Sequence, residues 1–202
     1  MGHCHCRGDH GRRRRGLQQH NSGTRRIHRM NEEVFWHIIS LFDWNETGND
    51  DAVFEPACAA LAARSPEDIC RFDDIFAEKL FALDTREHAR ACYAGELDPD
   101  DGDDYISADD FLYRRCVVVA NGSEFYASVI ADPTKMPQEM EFESLLSVAS
   151  NAFVRKTGEE YEHATAVSYE SFQNLDGWRP TPATKSGKYT GENIPPGNRR
   201  PT

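Results

Sequence analysis

Long apolar runs are missing from this chain. None of its 202 residues falls in a stretch of about 18 consecutive apolar side chains, the length a bilayer-spanning helix needs. The Arg12 to Arg15 cluster leads into GLQQHNSG and not into the apolar segment that a signal peptide requires. A protein that stays in the cytoplasm is the expectation. Beyond Cys4 and Cys6 in the leader, close cysteine pairs are missing too. Cys58, Cys70, Cys92 and Cys116 have no CxxC spacing among them and fall at apolar helical positions, which suits reduced thiols better than a disulfide framework. Neither GxSxG, HExxH, GxxxxGK[ST] nor a Gly-rich phosphate loop occurs, so no catalytic, cofactor-binding or metal-ligating residue can be named from a motif, and no cofactor is expected.

Positive charge is scarce where the apolar residues are. Residues 31–163 carry ten Lys/Arg against thirty Asp/Glu, a net of −20, whereas residues 1–30 carry eight Arg and one Asp and residues 164–202 five basic against three acidic side chains. An acidic domain repels phosphates, so no membrane partner and no nucleic acid is expected for residues 31–163. Small cations or a basic protein are the partners such a field attracts.

What is present is helical periodicity with clear punctuation. Asn31 precedes Glu32 and Glu33 and an apolar face of Val34, Phe35, Ile38, Ile39 and Phe42. Asn49 starts a second helix burying Val53, Phe54, Ala57, Cys58 and Leu61. Ser65-Pro66-Glu67-Asp68 opens a third with Ile69, Phe72, Phe76, Leu80 and Leu83. Thr85 caps a shorter helix through Ala89, Cys92 and Tyr93, and residues 95–104 read as an acidic loop. Ser107 caps a helix that ends at Asn121 and Gly122 and takes in the β-branched run Cys116 to Ala120; its flanking caps favour a buried helix over a strand. Ser123 then starts a helix through Phe125, Val129 and Ile130, closed by Asp132 and Pro133. The last helix carries Phe142, Leu145, Leu146, Ala149, Ala152 and Phe153 and stops before Gly158. Ile38, Phe76, Leu145 and Phe153 are expected in the core.

The expected fold is therefore all-α, a compact single-domain bundle of about six or seven helices with disordered tails. Residues 1–29 have almost no aliphatic side chains and read as a disordered basic leader. Met30 directly before a capped helix is an alternative translation start, which would leave that leader untranslated. Residues 30–178 form the helical domain, with the aromatics of Val167 to Trp178 folding back onto the helices. Residues 179–202 read as a disordered tail.

Several short runs, in this order, resemble one family. They are the Phe35-Trp36 pair, ACY at Ala91 to Tyr93, SADDFLYRRCVVVANG from Ser107, EFYASVIADPTKMP, EFESLL from Glu141 to Leu146, KTGEEYEH from Lys156 to His163, and VSYE with the later Trp178. The set is similar to the bacterial domain of unknown function family numbered 4240. The resemblance implies a compact helical domain and no catalytic or binding residue.

A calcium loop would need Gly at its sixth position with oxygen ligands at one, three, five and twelve. Gly102 at six places Leu97, Pro99 and Ala108 at ligand positions, and the register from Asp98 places Asp103 at six, so ELDPDDGDDYISADD reads as a solvated loop. His88 and Cys92 share a helix face but lack a third ligand, and packing is their expected role. His3, Cys4, His5 and Cys6 crowd four ligands into four residues, which cannot readily close a tetrahedral site. Asp109 and Asp110 point about 100° apart on a helix and cannot share a proton; capping at Ser107 is their expected work. The GRRRRG cluster could reach nucleic acid or anionic lipid, in competition with the acidic domain.

Two readings of function follow. The first is non-catalytic protein binding through the acidic surface, in the manner of an inhibitor or immunity-type protein. The alternative is an enzyme with an unrecognised active site in a helical cleft, with His37, His88 or His163 as acid or base.

Overall fold

The computed structural model of the chain describes residues 29–95 and 106–179. The start signals read from the sequence operate one after another. Asn31 accepts from the Val34 amide, Asn49 from Ala52, Ser65 from Asp68, Thr85 from His88 and Ser107 from Asp110, and each bond satisfies an amide that a helix leaves open in its first turn. These caps open α1 (Glu32–Ile39), α2 (Asp50–Ala62), α3 (Pro66–Leu83), α4 (Arg86–Cys92) and α5 (Ala108–Ala120). Two further helices, α6 (Gly122–Ala131) and α7 (Val148–Thr157), lack a side-chain cap. Among the described residues there are seven α-helices and no strand, so the all-α expectation holds. Ser65→Ala and Ser107→Ala are each expected to lower stability by about 1 kcal/mol in urea unfolding; an unchanged midpoint for Ser107→Ala alone would place the start of α5 elsewhere.

The core is built around α3. Its apolar side chains Ile69, Phe72, Phe76, Leu80 and Leu83 are all buried, and the helix packs on α7, α5 and α1, while α2 lies along α7 and α6 along α5. Cys116 to Ala120 is buried throughout, as a helix enclosed on all sides must be. The run is therefore core helix, despite its strand-like composition.

Four local expectations need correction. Helix α6 starts at Gly122, one residue before Ser123. Ile130 is 40% exposed, because α6 turns Val129 inward and the next residue points about 100° away. Phe142 and Leu145 are buried but precede α7, in and before a 3-10 turn at Glu143–Ser147. Hydroxyls there bond carbonyls three residues back, from Ser147 to Ser144 and from Ser150 to Ser147, in competition with regular α-helical geometry. Phe153 is only half-buried, since α7 faces its neighbours with Val148, Ala149 and Ala152. The expectations for the leader, the tail, and residues 96–105 fall outside the described residues.

After Gly158, whose left-handed φ of 75° ends α7, the chain runs as an extended strap over α3 and α5. Tyr161, His163, Thr165, Val167, Tyr169 and Ser171 are covered while their alternate neighbours are exposed, the two-residue period of extended backbone. Phe172 and Trp178 then pack on Phe111 of α5, with ring centroids 6.3 and 6.1 Å away. Gly177 passes so close to the α3–α4 junction that a Cβ would lie 2.9 Å from the Asp84 carbonyl oxygen. The aromatics of residues 167–178 do fold back, as expected.

Candidate functional site

A gathering of titratable groups lies where the strap crosses α3. Asp73 and Asp74 are consecutive, so the helix aims them in different directions and they take different partners. The Tyr161 hydroxyl donates to Asp73 Oδ2 at 2.9 Å, and His163 Nε2 lies 2.8 Å from Asp74 Oδ1. Cys70 is half-buried beside them. Burial pushes the Cys70 thiol and the Tyr161 hydroxyl above their ordinary values, so neither is a ready base or nucleophile. This arrangement is suited to fastening the strap. The His163–Asp74 pair is the one feature in it that resembles acid-base machinery.

Asp73 is buried, and desolvation raises its pKa against the Tyr161 bond and the His163 charge. A carboxyl with a raised folded pKa binds more protons folded than unfolded, so stability falls as pH rises from the ordinary carboxylate value through the raised one, and the deficit persists at neutral pH. Asp73→Asn keeps an oxygen for Tyr161. It is expected to flatten that slope in pH-dependent thermal unfolding and to hold or raise the neutral-pH midpoint. A midpoint several degrees lower with the slope intact would contradict the assignment.

A second polar centre is internal. Asp84, fully buried, accepts from the amides of Phe172, Gln173 and Asn174 and from Trp178 Nε1 at 2.7–2.9 Å. Arg115, also fully buried, donates to the Leu80 and Tyr169 carbonyls and to Ser171 Oγ. Burial lowers its pKa and the charge of Asp84 opposes the shift. Sequence reading assigned neither residue a role, because every partner of Asp84 here is about 90 positions away.

The other residues singled out in the sequence separate. His37 is exposed on α1. His88 is buried, with Nδ1 2.7 Å from Thr85 Oγ1 and Nε2 3.3 Å from the Val129 carbonyl; burial lowers its pKa, and both ring nitrogens are engaged in packing. Cys92 donates to the Ala89 carbonyl and its thiol is pushed up to about 11. Asp109 is exposed, and the Asp110 amide takes the Ser107 cap. Among the described residues no three His, Cys, Asp or Glu side chains converge as metal ligands, and no helix is long and apolar enough to cross a membrane. The four cysteines between 58 and 116 are free thiols. The His3–Cys6 cluster, the GRRRRG run and the central part of the acidic loop, residues 96–105, lie outside the described residues.

On the surface, an open groove of about 410 Å³ runs between α2 and α7. Phe54 and Val154 give it apolar walls, with Asp51 and Asn151 on its rim. Arg155 spans it, donating through both terminal nitrogens to Glu55 at 2.8 and 2.7 Å. Residues 100 positions apart build it.

Compared with known proteins, residues 30–155 match the family described as "Protein of unknown function (DUF4240)". The end of α7 and the strap, with the KTGEEYEH and VSYE runs, lie beyond the matched span. No curated protein and no solved structure matches the chain.

Proposed function

The chain belongs to that family of unknown function, and from this premise we propose that its helical domain acts in the cytoplasm by binding a basic protein, without chemistry of its own. The observation that carries the reading is where the charges sit. Of the carboxylates in the described residues, only Asp68, Asp73 and Asp84 are buried, so the acidic excess of the described residues stays outside the core. Surplus charge of one sign speeds encounter with the opposite sign and discourages wrong partners. An inhibitor or immunity-type partner for a basic protein is the version that uses this best. His88 and Cys92 are meanwhile absorbed in packing, and Tyr161, His163, Asp73 and Asp74 in holding the strap. Affinity capture from the host extract tests the proposal: a basic protein should be recovered and released as salt is raised. Recovery of no protein, or of acidic partners indifferent to salt, would overturn it.

One observation favours the enzyme reading, namely the His163–Asp74 contact at 2.8 Å. Under that reading His163→Gln should abolish an activity while leaving capture of the basic protein unchanged.

A further inference from the structure

Resting on the binding reading above, we infer that the partner docks on one particular face, the groove between α2 and α7 together with the surface that continues from it past the 3-10 turns. Three of the large hydrophobic side chains left exposed in the described residues belong to the segments forming this face. Val154, 48% exposed, walls the groove, Trp44 is 47% exposed on the 3-10 turn Trp44–Glu46, and Met140 is 58% exposed two residues before Phe142. The segments are tied together. Trp44 packs on Phe142 with centroids 5.7 Å apart, and Ser144 Oγ donates to Asp50 Oδ2 at 2.9 Å, next to Asp51 on the groove rim.

Charge selects the occupant. Residues 43–55 and 136–147 contain eight carboxylates and no Lys or Arg, and the cation that does reach the groove, Arg155, is already bound to Glu55. An apolar strip framed by acids fits an amphipathic basic helix, whose aliphatic side chains would enter beside Phe54 and Val154 while its Lys or Arg side chains meet Asp51, Glu46 and Glu143. A second copy of this chain is disfavoured at the same face, because it would bring carboxylates against carboxylates.

The test uses the full chain and two synthetic peptides of about five helical turns. One repeats Leu on a single face with Lys elsewhere; the other has the same Lys residues and Ser in place of every Leu. The Leu peptide should bind with a change in Trp44 fluorescence that is lost in Trp44→Phe, and the Ser peptide at least about tenfold more weakly. Val154→Glu and Asn151→Arg, both at exposed positions and checked for unchanged circular dichroism, should each weaken the Leu peptide by about tenfold or more, whereas Ile130→Glu on α6 should not. Equal binding of the two peptides, or binding indifferent to Val154→Glu and Asn151→Arg, would overturn this face while leaving a basic partner in place. Concentration-dependent dimerisation abolished by Val154→Glu would make a second copy the occupant and equally overturn it. If neither peptide binds, the inferred face fails, and the capture experiment decides separately whether the basic-partner reading fails with it.

Discussion

Asp84→Ala is expected to destabilise the protein by about 3–5 kcal/mol, the loss typical of removing one partner from a buried charged network. Its carboxylate receives four N–H groups, three of them consecutive amides of the strap. These amides converge because Phe172 adopts a left-handed φ of 67°, a conformation a bulky side chain rarely takes without compensation. Alanine would strand those donors and leave the buried Arg115 guanidinium without the nearby negative charge that opposes its desolvation. Asp84→Asn, which retains one acceptor oxygen, should lose less. Urea unfolding followed by circular dichroism and tryptophan emission measures both, and since Trp178 Nε1 bonds Asp84, its emission should change before the helices melt. A loss below about 1 kcal/mol for Asp84→Ala, ordinary for any substitution, would show the strap to be energetically detached from the helices.

Leu145→Ala should cost about 2–5 kcal/mol, as expected where a buried leucine leaves a cavity. Leu145 is 1% exposed in the 3-10 turn that packs against α2, α5 and α7, so a void there would touch three helices at once. Phe153→Ala is the informative comparison. Its ring is half-buried and meets Tyr161 of the strap with centroids 5.1 Å apart, so its loss should be smaller despite the larger side chain. Equal losses for the two would mean that the strap seals Phe153 as fully as the helices seal Leu145.

Helix starts were legible because their cause is local. A cap needs only a side chain and the amide three residues on, as at Ser65 and Ser107. Faces were legible where a helix has one buried side, as in α3, and less so where coverage is partial: Ile130 and Phe153 follow the apolar pattern, yet each sits one step around the helix from the contact. The candidate binding face was not legible at all. Glu55 and Arg155 stand 100 positions apart, and nothing in either neighbourhood signals the other. The strap was legible as aromatics that fold back. Its two-residue alternation has no pairing strand among the described residues, so periodicity alone could not have placed it against α3.

The separation between Asp84 and its partners also bears on the order of events during synthesis. Ser171 and Phe172 emerge from the ribosome roughly 4 to 18 s after Asp84 at ordinary elongation rates. Until then Arg115 has no Ser171 hydroxyl or Tyr169 carbonyl to meet, so the guanidinium nitrogen that bonds the strap stays hydrated. Helix α1 can associate early with α2 and α3, whereas the last closure spans a loop of almost ninety residues and carries the corresponding entropic delay. A nascent chain stalled before residue 171 should therefore present a partly open α3–α5 surface to chaperones, one that the finished protein never shows.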